Sequence, residues 1–328
     1  MNHIQSNRML VTRLRSAVAG ALLAFTAVWS LPASAAPFAY VPNEKSGTIS
    51  VIDVANDTVV GEMKAGDKPR GLAVAPKGDR LYVSNQPGSE LVVLDLDKKA
   101  AIASVALGES PEGVGISPSG DYVVAAVELS NAVSFISTAD NKVAFAVKTK
   151  GKNPEHAVFS PDGKWVFVSA EEADTVDVIE VASRKQVDSI KVAERPRGIA
   201  FSPDGRVAYV ACEVASKVFA IDVTTRKVIA EIKGGNFSNG VTMAPDGQRV
   251  FISNGRDGTV SVIDTAKNTI VATIPVGKRP WNMAITPDGK KLYVANGRSH
   301  SVSVIDTASN TVVKEVAVGQ FPWGVVIK

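Results

Sequence analysis

Gly277-Lys278-Arg279-Pro280-Trp281-Asn282 opens a stretch that runs on through Thr286-Pro287-Asp288-Gly289, Leu292-Tyr293-Val294-Ala295-Asn296 and Ser303-Val304-Ile305-Asp306 to Gly319. Most of the remaining chain is a copy of it. The turn proline Pro287 has counterparts at Pro76, Pro118, Pro161, Pro203 and Pro245, in steps of 42, 43, 42, 42 and 42 residues. The acidic end of Ser-Val-Ile-Asp recurs as Asp53, Asp95, Ser137, Glu180, Asp222, Asp264 and Asp306. A fixed period of this size marks a repeat architecture.

Each copy holds four short β patterns rich in Val, Ile, Tyr and Thr, separated by Gly, Asn, Asp and Pro. In the last full copy the expected strands are A, Asn282–Thr286; B, Lys291–Ala295; C, Val302–Ile305; and D, Thr311–Val316. Four antiparallel strands with two apolar faces form one propeller blade, which must stack against others. The chain ends after one extra strand A, Trp323–Ile327, and its first repeat begins at a strand B, Phe38–Pro42. Pairing these ends closes an all-β, seven-bladed propeller and removes its sheet edges.

Residues 1–35 carry Arg8, Arg13 and Arg15, an apolar run from Ala17 to about Leu31, and Ala33-Ser34-Ala35. This pattern predicts a cleaved Sec-type signal peptide, a mature propeller domain over 36–328, and a periplasmic or secreted address with no membrane span after cleavage. The full chain is +3 and the leader holds three arginines and no acids, so the mature protein is neutral. Global charge therefore gives no attraction to nucleic acid or an anionic membrane. Cys212 is the only cysteine, which excludes an internal disulfide and attachment of haem through paired cysteines.

Leu81-Tyr82-Val83-Ser84-Asn85, Val250-Phe251-Ile252-Ser253-Asn254 and Leu292-Tyr293-Val294-Ala295-Asn296 resemble the YVTN-type β-propeller repeat, each after a Pro-x-Gly turn and before an apolar strand ending in Asp. The resemblance spans Pro37 to Lys328. It implies the seven-bladed fold and a secreted, periplasmic or accessory role. Its wider relatives include seven-bladed lactonases, haem d1 propellers and propellers associated with quinoprotein alcohol oxidation, so it does not fix an activity.

The repeated motifs read as structural. Pro-Asp-Gly supplies a fixed φ, an Asx-type bond and a positive φ for a tight A–B turn. The carboxylates ending the C strands read as acceptors for turn N–H groups. The D–A and B–C connections share the opposite face, and there the copies diverge. After each D–A proline (Ser238 in one copy) stand Arg70, Glu112, Glu155, Arg197, Asn239, Trp281 and Trp323. His156 and Asn282 replace glycine at the next position. The B–C connections add Glu128, Glu171, Glu172 and Glu213 on one side, and Arg256, Arg298, His300 and Lys45 on the other. The expected site is this face, acidic on one half, basic with exposed tryptophans on the other, because divergent loops on a rigid scaffold carry binding.

Three functions fit that face. The first is a binding or scaffold protein whose variable face and channel mouth take a protein partner or ligand through Trp281, Trp323, Arg70, Arg197, Glu112, Glu155, His156, Asn239, Asn282, Arg256 and Arg298. The second is a lactonase-like hydrolase, with His156 as base, Glu155 or Glu112 orienting it, and Arg70 or Arg197 stabilising an oxyanion. The third is single-stranded nucleic-acid binding by the tryptophans and nearby cations, which the neutral charge disfavours. No catalytic residue, metal site or cofactor is assigned. Of three histidines, His3 leaves with the leader, too few remain for a multi-His metal site, and carboxylate-only calcium binding on the acidic half stays open.

Overall fold

The computed structural model describes residues 37–328, and the expected signal peptide lies outside them. Seven four-stranded antiparallel sheets form a β-propeller, and no helix occurs among the described residues. Blade 7 consists of Pro280–Ile285, Lys291–Asn296, Ser301–Asp306 and Thr311–Ala317, paired in that order. The A strands of blades 2 to 6 are Pro69–Val74, Pro111–Ile116, Pro154–Phe159, Pro196–Phe201 and Ser238–Met243. Each begins at the D–A proline or its serine, so the variable slot lies within the strand.

Blade 1 joins the two ends of the described chain. Val326–Ile327 pairs antiparallel with Phe38–Asn43, which continues into Thr48–Asp53 and Thr58–Lys64. The Trp323 N–H donates to the Pro42 carbonyl at 3.0 Å, and Phe38 and Lys328 exchange both backbone bonds. The sequence-predicted closure is present, although its regular ladder is shorter than Trp323–Ile327.

Burial follows strand order. The B and C strands are almost wholly buried, whereas the D strands form the exposed circumference. Seven apolar clusters each straddle one blade–blade boundary, as with Phe167 and Val178 of blade 4 against Phe201 and Phe219 of blade 5. Cohesion therefore comes from repeated blade stacking, with no disulfide among these residues. The lone thiol, Cys212, is buried at a B-strand end, and burial pushes its pKa up to about 12, so it packs as an unreactive side chain.

The invariant face consists of self-satisfied turns. Asp162, Asp204, Asp246 and Asp288 each accept the N–H two residues on. Asp53, Asp95, Asp222, Asp264 and Asp306 accept turn N–H groups after their C strands. At these five positions the ring of carboxylates is thus a set of separate turn caps.

Candidate functional site

The variable slots are presented by a β-bulge. Each A strand pairs its first residue with the end of strand B, as in Pro280 with Asn296, then loses register before Met283. The same shift occurs in blades 2, 3, 5 and 6, and a shorter one in blade 4 between Pro154 and His156. A bulge re-aims the side chains within it, which sends residues such as Trp281 toward the channel mouth. Glycine follows in most copies because the A strands crowd at the axis. A Cβ on Gly71 would lie 2.2 Å from the Glu112 carbonyl oxygen, and one on Gly240 would lie 2.4 Å from that of Trp281.

At the axis, His156 of blade 4 stacks on Trp323 from the closing segment, with centroids 5.4 Å apart and planes 16° from parallel. These residues come from opposite sides of the ring, so their stack fills its centre. Trp323 is only 7% exposed. This corrects the sequence expectation of an exposed indole: with His156 in place of glycine, a ring stands opposite Trp323 to receive it. Burial, then the nearby Arg197, pushes the His156 pKa down to about 3, so its imidazole is neutral. Its Nδ1 has no hydrogen-bond partner.

Around this stack the charges are paired. Arg197 contacts Glu155 at 2.5 Å, Glu171 more closely, and Glu213 at 3.3 Å. Arg70 contacts Glu112 at 2.5 Å and Glu44 at 3.4 Å. Arg279 reaches across blade 6 to Glu213 at 2.7 Å, over Gly255, where a Cβ would meet its guanidinium at 3.2 Å. Asn239 also points to Glu213, at 3.4 Å. Glu112 and Glu155 are buried, so they line the channel wall instead of an open rim.

The expected acidic and basic halves therefore do not exist at the wall, because a buried carboxylate needs a counter-charge. The proposed orientation of His156 by Glu155 or Glu112 is also absent: each carboxylate is held by its own arginine. Burial, and then the neighbouring Glu155, raises the pKa values of Glu112 and Glu171 well above the usual carboxylate range, with Arg70 and Arg197 opposing the shift. Glu128, Glu155 and Glu171 offer carboxylate oxygens within 4.8 Å of one another, a spacing suited to a cation. Arg197 already supplies positive charge to two of them.

Further out, the two signs do separate. A groove of about 760 Å3 is lined by Glu128, Glu171, Glu172, Asp174 and Glu194, with Arg195. Across the face, a groove of about 790 Å3 is lined by Phe237, Arg256, Lys278, Arg279 and Arg298. Trp281 lies beside it, half-buried against Gly297, where a Cβ would be 2.9 Å from the indole. Asn282 turns inward, its N–H donating to the Trp323 carbonyl at 3.3 Å.

One row of residues escaped the sequence comparison. Ser110, Asn153, Arg195, Phe237, Arg279 and Phe321, each just before a D–A proline or serine, have φ between 54° and 63°. Asparagine accepts this left-handed backbone readily, whereas phenylalanine is strained there. Aligning the residue before each proline would have exposed Phe237 and Phe321 as choices made against local preference.

Sequence comparison matches residues 108–190 and 182–320 to the family described as lactonase, seven-bladed β-propeller. No curated protein matches the chain. Among solved structures it is similar to hydrazine synthase from Kuenenia stuttgartiensis, with TM-score 0.76 and 25% identity over 82% of this chain and 92% of that one. It is also similar to a Bacteroides uniformis protein described as a 6-phosphogluconolactonase, with TM-score 0.76 and 20% identity over 89% and 100% of the two chains. A third likeness is the dihydro-haem d1 dehydrogenase NirN, with TM-score 0.69 and 17% identity over 90% and 76%. At their identities, the last two likenesses concern the fold alone.

Proposed function

The chain belongs to the lactonase seven-bladed β-propeller family, and from that scaffold we propose a binding protein whose variable face holds a protein partner. The observation that carries this reading is the pair of oppositely charged grooves outside a plugged, charge-neutralised axis. Complementary charge steers and registers a protein partner. Trp281 beside the basic groove supplies a stiff aromatic anchor of the kind enriched at interfaces. The export-type leader supports action in the periplasm or outside the cell.

Membership of the family keeps lactone hydrolysis as the second reading. Its difficulty in this chain is chemical. His156 is half-buried and stacked on Trp323, its buried Nδ1 has no partner and no carboxylate orients it, and the Cys212 thiol is buried. A general base must reach the proton that it takes.

Affinity capture from a periplasmic extract tests the proposal. Trp281→Ala with Arg298→Ala is expected to weaken retention of a partner by about thirtyfold, the effect of losing roughly 2 kcal/mol at an anchor. Asp204→Ala with Asp288→Ala, on the opposite face, should lower stability and leave capture intact. Equal capture by the face variant would overturn the reading. Turnover of a lactone panel that vanishes in His156→Ala would replace it with the hydrolase.

A further inference from the structure

We infer that the basic side of the variable face is a docking strip for an acidic, extended segment of a protein partner. This rests on the reading of that face as the interaction surface and adds the chemistry of what it receives. The strip starts at Arg256 in blade 6, passes Lys278 and Arg298, and crosses the ring closure to Lys45 in blade 1. Hydrogen bonds join its supports in blade 7 and across the ring closure. The Arg298 N–H donates to the Lys278 carbonyl at 3.0 Å, and the Phe321 N–H donates to His300 Nδ1 at 3.1 Å. The Lys45 N–H then donates to the Gln320 carbonyl at 3.1 Å.

None of these four cations has a carboxylate partner among the described residues, whereas the variable-face arginines Arg70, Arg197 and Arg279 each do. The one acid in the basic groove, Asp257, is held by the backbone and side-chain N–H groups of Asn236, both at 2.7 Å.

Comparison between repeats shows that blades 6 and 7 lack an acid at the slot after strand B. The residue that follows strand B is Glu44, Gln86, Glu128, Glu171 and Glu213 in blades 1 to 5, but Gly255 and Gly297 in blades 6 and 7. Arg256 and Arg298, each directly after one of these glycines, and Lys278 between them lack the neighbouring carboxylate that the other blades mostly keep, and like charges so placed repel one another unless an anion joins them.

Two of the cations are also held in place. The Arg256 guanidinium lies 3.9 Å from the Phe237 ring centroid, and the Lys45 ammonium lies 4.1 Å from that of Phe321. Both phenylalanines occupy the strained left-handed position before the D–A turn. They act as platforms that order the charges before a ligand arrives, which lowers the entropy lost on binding. A strip across three blades suits an extended chain better than a compact ion. Each phenylalanine already has a cation over its face and Trp323 is turned against His156, which leaves Trp281 as a single half-exposed indole. One indole cannot stack successive bases, which favours an acidic peptide over single-stranded nucleic acid.

Fluorescence anisotropy with a fluorescein-labelled hexaglutamate peptide tests this on the mature chain. Binding is expected at 50 mM salt and should weaken steeply by 200 mM, since the charges are exposed. Arg256→Ala with Arg298→Ala should weaken it about tenfold, from the loss of two rim pairs. Lys45→Glu should weaken it independently, and Lys164→Ala with Lys290→Ala, on the opposite face, should not. A melting curve for each variant verifies that it is folded. Absence of binding, equal loss in the opposite-face variant, or tighter binding of a thymidine hexanucleotide would each overturn the proposal. Partner capture that depends on Trp281 in the absence of hexaglutamate binding would reject the acidic segment while leaving the interaction face standing.

Discussion

Arg197→Met is expected to destabilise the protein by about 3–5 kcal/mol at pH 8, the usual effect of removing one partner from a buried ion pair. In a chain of this size that is roughly a 10 °C fall in Tm. Arg197 is the shared counter-ion of Glu155, Glu171 and Glu213, and its side chain is only 14% exposed. Methionine keeps much of the volume and removes the charge, so three buried carboxylates lose their common partner. The deficit should depend on pH. Glu112 and Glu171 have folded-state pKa values raised by burial and by Glu155, toward about 8 and about 7. Folded protein therefore binds more protons than unfolded protein between about pH 5 and pH 8, and stability contributed by these groups is lost as pH rises through that window. The variant lacks the cation that draws Glu171 down, so its loss should steepen with pH and shrink near pH 5. Thermal melts at pH 5 and pH 8 measure this. An equal Tm for variant and wild type at pH 8 would contradict the paired channel wall.

Deleting Gln320–Lys328 is expected to abolish the cooperative thermal transition. The segment seats Trp323 and Val325 in buried positions and provides Val326–Ile327 as the inner strand of blade 1. Burial of these side chains is worth about 1.5–3 kcal/mol each, which together approaches the whole stability of an ordinary domain. Backbone bonds from Phe38, Glu44 and Lys45 to the same segment would be lost as well. The exposed edge of Phe38–Asn43 would then be free to pair with other chains. Differential scanning calorimetry with a solubility assay checks the result, and an unchanged transition would show that closure contributes little.

The fold was legible because its information repeats along the chain. Pro287 and its copies gave the period, the seven C-strand ends from Asp53 to Asp306 gave the blade count, and the mismatch between the first and last repeats gave the closure. The slot after each D–A proline was legible for the same reason. Relations across the ring were not. A period tells which residues occupy equivalent slots, but not which side chains are long enough to meet over the axis. His156 and Trp323 lie far apart in sequence and face each other only once the ring closes. Arg279 similarly reaches Glu213, two blades away, by passing Gly255, so the contact depends on an absent side chain in the blade between them. Phe237 and Phe321 are unusual for their backbone, which shows in the sequence only when the residues before each D–A proline or serine are aligned.

Site-specific photocrosslinking in the intact cell tests the central claim most directly. A photoreactive phenylalanine analogue would replace Arg256, Trp281 or Arg298 in turn, with Asp204 and Asp288 as opposite-face positions. The account predicts one common adduct, larger than the chain itself by the mass of a second protein, from the three variable-face positions and none from the two turns. An adduct formed only from Asp204 or Asp288, or none from the variable face, would contradict it.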